Sequence, residues 1–414
     1  MTAIVGILNK RAAAIAADSA MTVGKDDDHK IYNTAQKIFQ LSKKQPVGVM
    51  VYNSAQFMGT PLEVLIKLYY DKYGDKDLPT VEAYREDFIS FLKNSKYFTT
   101  EAEQQDALYE EMTDVVNTIY RAAKDDCMEA EEMNLDELPA EKQLPYYNNN
   151  VKLLQKSCAN DGVCEGFERY TISQFREYTK PVFERLFKDM KEEDFQVEGV
   201  AWEEVIFAYI RSKRFWNYTG LVFVGYGSEQ IYPALAPILI NIAFDGHLRF
   251  LTNPESDATI SNDNNADIRS YAQDDVIKTL LRGLAPDVSQ QYQKCIQTKL
   301  NEVKASFGEI AKKAKCSDST LKKIAKIDEE DIYNQIDKEV NEYIGDEYLK
   351  GLFRSIASFN VPDMASMAES LIAVTNLQRH ITSSEESVGG PVDVAVITRS
   401  EGFVWMKHKN WFDR

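Results

Sequence analysis

The sequence predicts an α+β fold in which a strand-built core is interrupted by two large helical insertions. Three observations point there. Strand-like apolar runs cluster at the two ends and at the centre of the chain, over 1–71, 216–284 and 360–414. Between them lie two highly charged blocks, 72–215 and 285–359, whose apolar residues recur at helical spacing. At 414 residues the chain is also longer than one hydrophobic core usually grows, and its 44% hydrophobic and 11% aromatic residues are enough to fill an elaborated domain or two.

The first strands are the clearest. Thr2 to Leu8 and Ala12 to Ala17 are apolar runs separated by the polar turn Asn9-Lys10-Arg11, the pattern of a hairpin of buried strands. The second run ends in Asp18-Ser19, a carboxylate at the mouth of an apolar layer. Residues 24–30 are polar and form a solvated loop by composition; the aspartates 26–28 lack the spacing of a calcium loop. Lys37 opens the strand-like Ile38 to Leu41, and Val47 to Val51 follows after the turn 42–46. Ser54 is placed to cap a helix carrying Leu62, Leu65, Ile66 and Tyr69 on one face.

In the first helical block, Leu108, Met112, Val115, Val116, Ile119 and Ala123 share a face, and so do Phe175, Tyr178, Val182, Phe183 and Leu186, with Pro181 marking a kink or restart. Strands return at Leu221–Val224, before the turn Gly225-Tyr226-Gly227, and at Ile238–Phe244, before the hairpin signal Asp245-Gly246. Residues 252–267 read as a loop, and Ser270 with Gln273 fits a capping box that starts a helix. In the second block Ile332, Ile336, Val340 and Ile344 line one face. Pro362 opens a further helix, and the chain closes with Gly389-Gly390-Pro391, a strand from Val392 to Ile397, a turn at Glu401-Gly402 and a strand from Phe403 to Lys407.

A net charge of −17 and a pI near 4.9 argue against nucleic acid or an anionic membrane as the main partner, because phosphate binding needs a basic surface. The five cysteines (127, 158, 164, 295 and 316) contain no C-x-x-C pair, and the four histidines have no ligand spacing; free thiols, no metal and no cofactor are expected. No apolar run approaches the roughly 20 residues of a membrane span, and no secretory leader opens the chain, so a cytoplasmic protein is expected.

Thr2-x-Ile4-Val5-Gly6-Ile7, Ala16-Ala17-Asp18-Ser19-x-x-Thr22, Gln36-Lys37-Ile38 and Gly48-Val49-Met50 together resemble the opening of proteasome β-type subunits and their bacterial relatives HslV and Anbu, all N-terminal-nucleophile hydrolases. Val388 to Val394 with the Gly402 hairpin is similar to their closing strands, and Gly225-Tyr226-Gly227 with Pro233 and Leu235 to their central pair. The resemblance covers about the first 70 residues, 221–284 and 360–407, and leaves the two helical blocks without a counterpart. It implies a four-layer αββα sandwich, cleavage of peptide bonds, and self-assembly into a homo-oligomeric ring or spiral, with a partner ATPase left open.

Carried over residue by residue, the resemblance makes Thr2 the nucleophile once Met1 is trimmed, with its freed amine as proton acceptor; threonine activated by its own amine is a known arrangement. Lys37 would lower the pKa of that amine, Asp18 would hold Lys37, and backbone N–H groups at Tyr52 and Asn53 would stabilise the oxyanion. Ser19, Ser270 and Glu385 would be supporting residues. Thr22 matches the position whose main chain pairs with an extended substrate, and Met21, Ala35, Met50 and Ser54 match the lining of the first specificity pocket. Three departures stand out. Tyr52 replaces a family glycine; Glu385-Glu386-Ser387-Val388 replaces Asp-x-x-Ser, so that Val388 brings no hydroxyl; and the family's Gly-Ser-Gly is missing. Two other functions fit the same fold. One is a non-catalytic scaffold subunit, although such subunits carry a helical segment ahead of the first strand, where this chain starts at Thr2. The other is an amidase for small molecules.

Overall fold

The computed structural model describes residues 2–23, 30–193, 195, 198–317, 319, 322, 326, 328–382 and 389–409. The chain forms two compact units: Met1–Ala35 with Thr259–Arg414, and Gln36–Ala258. Each is a mixed structure of antiparallel sheet and helices, an α+β architecture.

The first unit begins with β1 (Ala3–Asn9) and β2 (Ala12–Ala17), the hairpin expected from the two apolar runs. Asn9 closes it: its Oδ1 accepts from the N–H groups of Arg11 (2.8 Å) and Ala12 (3.2 Å), an Asx turn. Its buried amide donates to the carbonyls of Ile356 (2.9 Å) and Phe359 (3.0 Å). A short pair follows, β3 (Met21–Val23) with β4 (Lys30–Tyr32), in which Thr22 lies opposite Ile31.

The second unit then begins with β5 (Ile38–Gln40), β6 (Val47–Asn53) and the two-residue strands β7 (Gln56–Phe57) and β8 (Thr60–Pro61). Its helices are α1 (Leu62–Tyr73), α2 (Val81–Lys93), α3 (Glu101–Glu131), α4 (Ala140–Asp161), α5 (Ile172–Glu192) and α6 (Trp202–Arg211). Strands β9 (Thr219–Gly225), β10 (Ala234–Phe244) and β11 (His247–Leu251) complete a sheet of order β11-β10-β9-β6-β5, and β12 (Ala258–Thr259) comes next.

Back in the first unit come β13 (Ala266–Ala272), α7 (Asp275–Arg282), α8 (Pro286–Lys313), α9 (Glu329–Ile344), a π-helical turn over Gly345–Leu349, α10 (Lys350–Ser358), α11 (Val361–Thr382), β14 (Asp393–Thr398) and β15 (Gly402–Lys407). The sheet order is β13-β1-β2-β14-β15, antiparallel throughout.

In both sheets the inner strands are buried on both faces, which is why they read as unbroken apolar runs rather than alternating ones. In the first unit Val5, Ile7, Ala14 and Ala16 meet Met364, Ala368 and Ile372 of α11, while Ile4, Leu8 and Ile15 on the opposite face are equally buried. In the second unit Val49, Val51, Leu221 and Phe223 meet Leu65 and Tyr69 of α1 and Tyr84 and Phe88 of α2. The sheet's own helical layer therefore runs to Lys93, past residue 72, where the sequence places the start of an insertion. A separate core over α3–α6 takes in Ile242 and Phe244 of the sheet, and its Phe167 and Tyr170 pack on the His247 ring of β11.

That helical core is joined to the sheet by polar groups as well. Arg249 of β11 is fully buried and donates to the carbonyls of Ile210 (2.7 Å), Tyr209 (3.0 Å), Ser212 (3.3 Å) and Arg214, and to Asn241 Oδ1 (2.9 Å). Glu111 of α3 lies 3.7 Å from the guanidinium and accepts from Asn241 (2.9 Å), Tyr209 (3.2 Å) and Asn217 (3.3 Å). Burial raises the Glu111 carboxyl above its ordinary value, and the lowering effect of Arg249 does not outweigh it.

Two local expectations fail because the residue is committed elsewhere. Ser54 does not cap α1, whose N-cap is Pro61; its hydroxyl serves the backbone of Gln56 instead (3.1 and 3.2 Å). Ser270 does not start a helix but lies within β13 opposite Val5, and the helix begins at Asp275. Pro181 lies inside α5, which runs through it from Ile172 to Glu192, so of the two expected readings the restart is not seen.

Two measurements check this packing. Phe88, 1% exposed and edge-on to Tyr69 (5.1 Å) and Phe223 (5.6 Å), should cost about 3–5 kcal/mol of unfolding free energy when replaced by alanine, read from urea denaturation. A folded-state carboxyl raised above its unfolded value loses stability as pH rises, so wild type should weaken relative to Glu111→Gln as pH climbs above the ordinary glutamate value of 4.5.

Candidate active site

Within the first unit, chain pairing assembles several of the expected residues. Thr2, 5% exposed, immediately precedes β1, and its carbonyl accepts from the N–H of Gln273 (3.2 Å) just beyond β13. Asp18 immediately follows β2 and is fully buried. Its Oδ1 accepts from the N–H of Ala3 (2.9 Å), and its Oδ2 from those of Ala20 (3.2 Å) and Gly389 (3.3 Å). The Asp18 N–H in turn donates to the carbonyl of Ala3 (3.2 Å), so the residue beside Thr2 and the end of β2 are tied in both directions.

Ser19 lies at a crossing of segments. Its N–H donates to the carbonyl of Gly389 (3.1 Å), its carbonyl accepts from the N–H of Ala35 (3.0 Å), and its hydroxyl donates to the carbonyl of Pro391 (2.6 Å). Gly390 turns the chain here with φ +76°, and a Cβ on it would come within 2.8 Å of Asn33, so glycine is required twice over.

Sequence reasoning missed two residues of this cluster. Lys409 Nζ donates to Ser19 Oγ (2.6 Å) and to the carbonyl of Ala35 (2.5 Å), and forms an ion pair with Asp393 Oδ2 (2.7 Å). The side chains of Lys409 and Asp393 are 5% and 1% exposed. The other Asp393 oxygen receives the Lys409 N–H (3.0 Å) and faces His408 Nδ1 at 3.2 Å, with His408 stacked on Trp405. One signal was available: a single carboxylate inside the apolar strand Val392–Ile397 needs a buried partner.

The second unit holds the other expected residues. Lys37 is 6% exposed, and its carbonyl accepts from the N–H of Val51 (2.8 Å). Because N–H directions alternate along a strand, Tyr52 directs its N–H toward β9, where it pairs with Gly220. Of the two expected oxyanion donors, only Asn53 therefore has its N–H on the β5 side of β6, one step past the Lys37 bond. Asn53 sits at φ 69° with its side chain donating to the carbonyl of Tyr218 (2.8 Å). The Tyr52 ring occupies the space over Gly220: a Cβ there would fall 2.0 Å from it. Met50 is fully buried in β6, while Ser54 is exposed.

Met21 and Thr22 lie in β3 and Ala35 is half-buried below the Lys409 ammonium. Ser270 is mid-strand in β13, three residues along the ladder from Thr2, which is about 10 Å. Glu385 and Val388 lie outside the described residues. Among the described residues no group of three or more His, Cys, Asp or Glu could hold a metal ion, and no helix is long and apolar enough to cross a membrane. The five cysteines carry free thiols, and burial pushes that of Cys164 up to about 11.

No protein-family model matches the chain, and no curated protein does. Among solved structures, an Anbu (Gly-1) mutant from Hyphomicrobium sp. strain MC1 is similar at 10% identity, over 99% of this chain and 86% of that one, with a TM-score of 0.28. A score of that size is too low to transfer a site or an activity from one chain to the other.

Replacing Lys409 by methionine would leave the Asp393 carboxylate buried without its ammonium. The expected cost is about 3 kcal/mol, measured by urea denaturation, with most of it recovered when Asp393→Asn is added.

Proposed function

We propose that the chain is a threonine-type hydrolase of amide bonds, of the N-terminal-nucleophile class, acting on peptides through Thr2 after removal of Met1. The observation that supports it best is the setting of Thr2: nearly buried, at the start of a strand, and fixed to a fully buried Asp18 through Ala3. A nucleophile gains from being held where its neighbours, not solvent, decide its position. The αββα sandwich belongs to the same proposal, and what supports it is that each unit has a sheet with a helix layer on one face and buried strands on both.

Removal of Met1 leaves an α-amine on the residue that carries the hydroxyl. An unperturbed α-amine has a pKa of roughly 7.7–8, close to what a general base needs at neutral pH. The hydroxyl oxygen attacks the scissile carbonyl while the amine takes its proton, and the amine then protonates the leaving nitrogen. The acyl ester on Thr2 is hydrolysed by water in a second step. Asp18 and Lys37 take their roles from the family resemblance, Lys37 as the cation that keeps the amine neutral. Asn53 is the preferred oxyanion donor over Tyr52 because of the direction of its N–H. Met21, Thr22, Ala35, Met50 and Ser54 are assigned to substrate. Assembly into a homo-oligomeric ring or spiral is part of the proposal.

Intact-mass analysis after treatment with a threonine-directed electrophile tests it. The expected product lacks Met1 and carries one adduct, and Thr2→Ala carries none and loses peptidase activity by about 10³-fold or more. Activity should rise with pH as the amine deprotonates and level off below the unperturbed value of roughly 7.7–8, because Lys37 favours the neutral amine. Retention of Met1 in active protein would exclude the mechanism. An unreactive Thr2 in a protein that still assembles would point to the scaffold function, and preference for small amides over peptides to the amidase.

A further inference from the structure

Among the described residues, strand β13 forms one edge of the first unit's sheet, pairing with β1 on one side only. An edge strand turns alternate N–H and C=O groups outward, where another extended chain can pair with them. Beside the first half of β13 lies an open cavity of about 780 Å³, bounded by Ala266–Arg269, α7 and α10. That volume is within the range of specific ligand sites.

The lining has a charge the rest of the chain does not suggest. In a protein of net charge −17, four cations, Arg269, Lys278, Arg282 and Arg354, surround the cavity against two carboxylates, Asp263 and Asp267. Arg269 is matched to Asp267 (3.0 and 3.2 Å), and Lys278 to Asp274 (2.6 Å). Among the described residues Arg282 has only the neutral amide of Asn341 (2.8 Å). Arg354 is exposed and makes no hydrogen bond or ion pair among the described residues. Leu281 and Phe353 add half-buried apolar surface between the charges.

We propose that this edge is a docking site for an extended acidic peptide, which adds to β13 as a further strand and places carboxylates on Arg282 and Arg354. Backbone pairing supplies affinity, and alternate side chains directed into the cavity supply selectivity, as in other cases of strand addition. The site is separate from Thr2. Ala266 pairs with Asn9 and Ala272 with Ala3, so the cavity lies at the far end of β13 from Thr2, about 20 Å away. Docking therefore does not depend on Thr2 being a nucleophile. If it is one, an acidic stretch held here raises the effective concentration of the rest of the same chain.

Fluorescence anisotropy of the full-length protein with a short labelled peptide of alternating glutamate and valine tests the site. Binding is expected to be equal in wild type and Thr2→Ala, which separates this test from that of the hydrolase. It should be about tenfold weaker in Arg354→Glu and nearly unchanged in Arg354→Lys. A lysine–valine peptide should not bind, and N-methylation of alternate amides should abolish binding by the acidic one. Equal binding of the lysine–valine peptide, insensitivity to Arg354→Glu, or full binding by the N-methylated peptide would each overturn the proposal. Arg354 is exposed, so both variants should fold, with unchanged urea midpoints as the control.

Discussion

The Asp18 carboxylate is the point on which the first unit is built. It is fully buried and accepts three backbone N–H bonds, from the residue after Thr2, from the start of the following loop and from the turn before β14. One of those donors, Gly389, lies 371 positions from Asp18 in the chain. A buried carboxylate that satisfies several backbone donors at once sets the spacing between the chains that supply them, because each unmade bond would leave a buried polar group unpaired. Through Ala3 this arrangement fixes the backbone beside Thr2, whose own carbonyl is held by Gln273. A second clamp, Lys409 with Asp393 and Ser19, holds the same turn from the other side.

Two of the buried ionic groups among the described residues differ in what they join. Asp393 and Lys409 fasten the last described residues to the loop after β2, within a few residues of the candidate nucleophile's scaffold. Arg249 and Glu111 fasten the independent helical core to the edge of the second sheet, remote in sequence from every candidate site residue of that unit. Breaking either would leave a charge stranded, so both act mainly as registers that allow one arrangement of their neighbours. The helical core otherwise has its own apolar interior, into which the sheet sends Ile242 and Phe244 of β10.

The inner strands were the most legible part of the sequence, because burial on both faces leaves unbroken apolar runs. The helical faces of α3 and α5 were legible too, from their spacing. Local polar signals were not. Ser270 with Gln273 matches a capping box as well as Thr100 with Glu103 does, yet only the second caps a helix, since Ser270 is committed to the ladder with β1. Asp18 stood out because a carboxylate ending an apolar strand is unusual. Lys409 did not, because its partner Ser19 lies 390 positions away and nothing local marks a lysine that will be buried. Tyr52, a departure from the family pattern in sequence, has a structural complement in Gly220, which leaves room for its ring.

Strand β2 consists of five alanines and one isoleucine, a composition that favours helix over strand when the segment stands alone. It is extended because β1 pairs with it on one side and β14 on the other. During synthesis β1 is available at once, but β14 emerges only after both helical blocks. The segment bearing Asp18 thus spends most of translation with one side unpaired, and the central sheet of the first unit closes last. Such long-range pairing is slow, and it couples completion of the Thr2 scaffold to the synthesis of β14.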